Sequence, residues 1–121
     1  MSEPIAVDPQ AAAQIKTDLQ ELARLLRAAD HLEPEAQQTL ASLLEELGGE
    51  LEVSGLPSAQ TAHLAETVGR VARALHEQHH SGLLAATRDR LHEAACRAEA
   101  EAPVATGIVR RFIDALAGIG I

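Results

Sequence analysis

The chain is nearly devoid of aromatic side chains: among 121 residues there is no Trp, no Tyr and a single Phe, Phe112. The platforms on which single-stranded nucleic acids stack are therefore missing. Cations are also scarce, with 10 Lys and Arg against 18 Asp and Glu, a formal charge of −8. No basic stripe is legible along the sequence to displace counterions from a phosphate backbone, which argues against general nucleic-acid binding. The one cysteine, Cys96, cannot form an internal disulfide, which fits a reducing, cytoplasmic setting. No stretch approaches ~20 consecutive apolar residues, so no membrane span is predicted. The acidic start Met1-Ser2-Glu3-Pro4 lacks the hydrophobic core of a secretion signal.

What is present is helical. Apolar residues make up 46% of the chain and are supplied by Leu, Ala, Val and Ile. Small side chains let helices approach closely, which suits a bundle. Ala, Leu, Glu, Gln and Arg, all strong helix formers, dominate the composition. No alternating β-branched run long enough for a sheet occurs. The length fits one domain.

Residues 1–7 read as a loose tail, and Asp8-Pro9 as a helix start, an N-cap acceptor followed by a proline that needs no N–H there. Ile15, Leu19, Leu22, Leu26 and Ala29 then recur in four- and three-residue steps, one stripe of a helix. Asp30 to Glu33 form a turn, and Pro34 opens a second helix with Leu40, Leu43, Leu44, Leu47 and Leu51 on one face. So short a turn predicts an antiparallel hairpin over residues 8–53, weakened near its end by Gly48-Gly49. Ser54-Gly55-Leu56-Pro57 reads as a linker, with Ser58 as N-cap of a second helical half, residues 58–121.

In that half Leu64, Val68, Val71 and Leu75 cluster within about 30° of one direction at ~100° per residue. Leu84, Leu91, Ala95 and Ala98 point about 180° away if the helix runs unbroken. The sequence thus predicts a break or kink at His80-Ser81-Gly82, with Ser81 capping a new helix; the other possibility is one continuous helix whose halves meet different neighbours. Pro103 starts a final helix with Ile108, Phe112, Ala115, Leu116 and Ile119 on its apolar face, Gly118 and Gly120 allow a C-terminal cap, and Ile121 is expected to pack back on the bundle. The expected fold is all-α: an antiparallel helical bundle of four helices, or five if the long segment breaks near Ser81-Gly82.

Two regions carry a family resemblance. One is the hairpin turn Leu-Glu-Pro-Glu-Ala at 32–36 with the Leu40, Leu43, Leu44 pattern after it. The other runs from Arg90-Leu91-His92-Glu93 through Glu99 and Pro103 to the closing Leu116-Ala117-Gly118-Ile119-Gly120-Ile121. In these the chain resembles a family of small bacterial proteins, the domain of unknown function DUF4404. That family's Phe-Glu-x-Ser-His-Pro is matched here at Glu99 and Pro103, with Ala98 and Ala102 in place of its aromatic and its histidine. The resemblance implies a helical fold and brings no known reaction.

The stretch His76-Glu77-Gln78-His79-His80 matches H-E-x-x-H, in which two histidines on one helical face hold zinc and the glutamate polarises its water. His76 and His80, with Glu77, are thus the candidate metal residues. The third ligand of the metzincin extension is missing, because Leu83 and Ala86 stand where its glycine and histidine belong. Glu99 or Glu101 could substitute as a carboxylate ligand. His76 and His80 also point about 100–150° away from the Leu64–Leu75 stripe, as solvated histidines near a helix end would.

Glu66–Arg70 and Arg73–Glu77 have the spacing of intrahelical ion pairs, and Glu45, Glu46, Glu50 and Glu52 form an acidic cluster that reads as a solvated helix end, with docking of a basic partner the alternative. No phosphate-cradling glycine loop and no nucleophile with a recognisable base occur, so no catalytic residue and no cofactor is assigned. The expected function is non-enzymatic: a small cytoplasmic interaction or structural module working through apolar helix faces, expected as a homodimer because two opposed stripes on one helix would need a partner. The alternative is a metal-dependent site, a hydrolase among the possibilities, at His76, Glu77 and His80.

Overall fold

The computed structural model describes residues 9–53, 58–78 and 81–121, with the side chains of 9–12 and 81 left aside. These residues form five helices: α1 (Pro9–Arg27), α2 (Pro34–Val53), α3 (Ala59–His76), α4 (Ser81–Ala98) and α5 (Pro103–Gly118). Each packs mainly on two neighbours, in a closed ring α1–α2–α5–α4–α3 and back to α1. A ring of five cannot alternate direction all the way round. The pair that runs parallel is α1 and α3: the turn after α1 and the end of α3 meet where His31 Nε2 donates to the Leu75 carbonyl at 2.7 Å. None of the helices among the described residues is long and apolar enough to cross a membrane.

The predicted stripes build the core. Leu19, Leu26, Leu40, Leu44, Leu47, Leu64, Val68, Val71, Leu91, Phe112 and Leu116 are all buried, as are Ala23, Ala41, Ala72, Ala95 and Ala98 between them. Pro34 and Pro103 begin helices where expected, and Ser58 caps α3 by accepting from the Thr61 N–H at 3.2 Å. Ser58 Oγ also donates to Glu101 Oε1 at 2.7 Å, tying the start of α3 to the α4–α5 turn. At the far end of α5, Gly120 takes φ +91°. There the Gly120 N–H reaches Ala117 O at 3.1 Å and the Ile121 N–H reaches Leu116 O at 3.0 Å, a Schellman closure that lays Ile121 on the core. Gly48-Gly49 does not stop α2, which runs on to Val53. Gly48 is buried against α1, where an added Cβ would lie 3.7 Å from Lys16 Cγ.

The long segment breaks, so five helices replace four, but the break begins upstream of the Ser81-Gly82 step. Helix α3 ends at His76, and Gln78 takes the left-handed conformation at φ 60°, its N–H donating to Leu75 O at 3.1 Å. Ser81 and Gly82 are already the first residues of α4. The expected capping by the Ser81 side chain lies outside the described residues. Because the chain turns here, both the Leu64–Leu75 and the Leu84–Ala98 stripes face one core.

Charges tie helix to helix. Lys16 meets Glu52 at 2.6 Å, Arg27 meets Glu45 at 2.5 Å, Arg110 meets Glu99 at 2.9 Å and Arg111 meets Glu46 at 2.6 Å. The hydrogen bonds from Arg27 hold the Glu45 carboxyl below its usual range, with the guanidinium charge adding to the effect and partial burial opposing it.

Two outcomes follow for stability. Gln78→Gly removes the cost of a side chain at positive φ and raises stability by about 0.5–1 kcal/mol in urea unfolding, while Gln78→Val lowers it. Glu45→Gln costs at most about 1 kcal/mol at neutral pH, since the pair is half exposed. A depressed carboxylate stabilises above its unfolded pKa and ceases to as pH falls through its folded pKa. The difference between Glu45→Gln and the parent therefore vanishes toward acid pH, which melting curves across that range will show.

Candidate functional site

The H-E-x-x-H arrangement presupposes one helix carrying both histidines. That helix ends at His76, the last residue of α3; Glu77 is the C-cap, and Gln78 leaves the helical region. His80 lies outside the described residues. The proposed carboxylate ligands are at the other end of the bundle. Glu101 is bonded to Ser58 at the start of α3, and α3 spans 18 residues, about 27 Å, before it reaches His76. Glu99 is engaged by Arg110. Among the described residues no group of three or more His, Cys, Asp and Glu is arranged to hold a metal ion. Cys96 is exposed on α4, beside the buried Ala95.

The acidic cluster of α2 is also used internally. Glu45, Glu46 and Glu52 each neutralise a cation from a neighbouring helix, so the surface that looked free for a basic partner clamps α2 to α1 and α5. The ion pairs expected within α3 do not form: neither Arg70 nor Arg73 has a carboxylate within 4.0 Å among the described residues.

Sorting the cations exposes what the sequence concealed. Of the 10 Lys and Arg, six are paired: the four interhelical cations, Arg24 with Glu21, and Arg88 with Asp89. The other four, Arg70, Arg73, Arg90 and Arg97, make no ion pair among the described residues. Three of these line one open groove of about 410 Å³ between α3 and α4. His63, Thr67, Arg70 and Ala74 come from the α3 wall; Leu83, Thr87, Arg90, Ala94 and Arg97 come from α4, with Glu93 the one carboxylate in the lining. Three arginines against one glutamate give the groove a formal charge of +2 on a chain of −8. Its floor is apolar, with Ala74 and Ala94 buried and Leu83 41% exposed. Thr67 and Thr87 donate to the carbonyls one turn back, at 2.8 and 2.9 Å, which leaves their oxygens as acceptors and the exposed Arg70, Arg90 and Arg97 as donors.

Arg73 sits instead in a smaller groove of about 240 Å³ between α1 and α3, where Asp18 and Glu66 balance it and Arg70. A third cavity, about 540 Å³, lies at the end of the bundle under His31, Gln78 and Ile119. In its lining His31 and the Gln78 N–H both bond the Leu75 carbonyl, and the His31 bond seats the α1–α2 turn on the end of α3. The sequence carried one usable sign of the arginine groove: Arg70, Arg90 and Arg97 lie off the buried stripes of their helices, on the flanks that two antiparallel helices share.

Searches of curated proteins and of solved structures give no match. A family model does match, over residues 37–121, which takes in most of α2 and all of α3, α4 and α5. By that match the chain belongs to the domain-of-unknown-function family DUF4404.

Proposed function

We propose that this protein is a non-enzymatic interaction module that recognises an anionic partner along the α3–α4 groove. The observation that carries this reading is the charge sorting: six cations are consumed within the fold, while three of the remaining four converge on one groove. Arg70, Arg90 and Arg97 make no ion pair among the described residues, so they add no charge pairing to the bundle even with Glu93 in the lining and with Asp18 and Glu66 beside Arg70 in the neighbouring groove. A binding surface accounts for them. The same arrangement steers an oppositely charged partner and fixes its register.

The apolar-face route to a homodimer loses its premise, since the opposed stripes of α3 and α4 both enter the core. The large apolar side chains left exposed among the described residues, Val53, Leu83 and Val104, sit on three different helices. Self-association through the groove itself is the form in which the dimer reading stands, and light scattering at rising salt checks it: a dimer that dissociates with salt supports it.

The combined Arg70→Gln, Arg90→Gln and Arg97→Gln variant is expected to keep its stability to within about 0.5 kcal/mol per site in urea unfolding, as exposed surface positions do. A loss of several kcal/mol would make these arginines structural and remove the basis for the reading. For the metal alternative, zinc added to untagged, metal-free protein is expected to leave the melting temperature unchanged. Stoichiometric zinc that is lost on His76→Ala would instead establish a metal site and overturn the proposal.

A further inference from the structure

We infer that the groove takes an acidic amphipathic helix of a partner protein, about four turns long, rather than a compact anion; this rests on the reading of the groove as a recognition surface. The spacing of its walls carries the inference. On α4 the groove residues step 83, 87, 90, 94, 97, with Glu93 beside Ala94 on the rim, and on α3 they step 63, 67, 70, 74. Both are alternating four- and three-residue steps, the seam onto which another helix packs side by side. The floor between them is made of Ala74 and Ala94, small enough to admit a ridge of side chains.

Charge then sets which helix fits. Arg90 and Arg97 are seven residues apart, so their Cα atoms lie about 10.5 Å apart along α4, and Arg70 faces them from the other wall. A helix with Asp or Glu at positions i and i+7 presents carboxylates at that same interval. Leu83 lies seven residues before Arg90 and is 41% exposed, an apolar contact one heptad further along the same seam. The ligand helix therefore carries one apolar anchor toward Leu83 and an acidic stripe running on toward Arg97. An apolar face over Ala74 and Ala94 completes it, the helix-in-groove mode with arginines supplying orientation.

The test is selection of random 15-residue peptides displayed on phage against the full chain, followed by fluorescence anisotropy of the selected peptides. The expected winners carry Asp or Glu at seven-residue spacing with Leu or Met near one end. Their affinity falls roughly tenfold or more for Arg90→Glu and for Arg97→Glu, weakens with salt, and is abolished by a proline at the peptide's centre. Acidic peptides that need the arginines but tolerate the central proline would overturn the helical ligand while leaving the groove as a recognition surface. Peptides that bind the triple glutamine variant as well as the parent would overturn both. Inorganic phosphate held by the groove, with no peptide selected, would replace the helix with a small anion.

Discussion

The bundle depends on the chain turning at Glu77-Gln78. Along a continuous helix, successive residues rotate by about 100°, so the apolar stripe of α4 would face almost opposite to that of α3. One of them would then be left in water. Ending α3 at His76 and placing Gln78 at φ 60° breaks that phase relation, and both stripes join a single core. The strain is borne by a glutamine because the neighbourhood over-determines it: the Gln78 N–H caps Leu75, and Leu75 O is held a second time by His31. The hairpin of α3 on α4 creates the shared outer flank on which the arginines collect.

A core without large rings shapes the rest. With Leu and Ala filling it, the helices lie close enough for side chains on adjacent helices to meet, and most of the ionic pairing is between elements rather than along them. Each exposed pair contributes little alone. Their effect on function is by subtraction: the acids of α1, α2 and α4 that pair with cations are spoken for, so the potential left over is uneven. An acidic protein thus presents a locally basic trough.

The helices were largely legible from periodicity and caps. Prolines 34 and 103 and Ser58 mark starts by mechanisms that act within a few residues, and the 3.6-residue stripes predict burial because each is a local geometric consequence. The exact turn was less legible, since Ser-Gly is a propensity for bending whereas the left-handed residue is Gln78, which bears no such mark. Gly48-Gly49 signals only a weaker end to α2, and its packing role, with Gly48 set against α1, is not marked in the sequence. Of the groove, only the place of its arginines off the buried stripes was legible. Arg27–Glu45 and Arg111–Glu46 join residues 18 and 65 positions apart, and no local rule pairs them. Without those pairs in hand, Glu66 and Glu77 seemed the natural partners of Arg70 and Arg73.

The ring also divides the folding of the chain by sequence distance. Helices α1 with α2, α3 with α4, and α4 with α5 are hairpin neighbours whose contacts form over short loops. The remaining two seams, α1 on α3 and α2 on α5, join elements far apart in sequence. Loop-closure entropy falls on those two seams, so they set the contact order of an otherwise local helical fold and mark where its topology slows it. Gly69, where an added Cβ would lie 3.5 Å from Leu22 Cδ1 across the α1–α3 seam, sits at one of these late-joining surfaces.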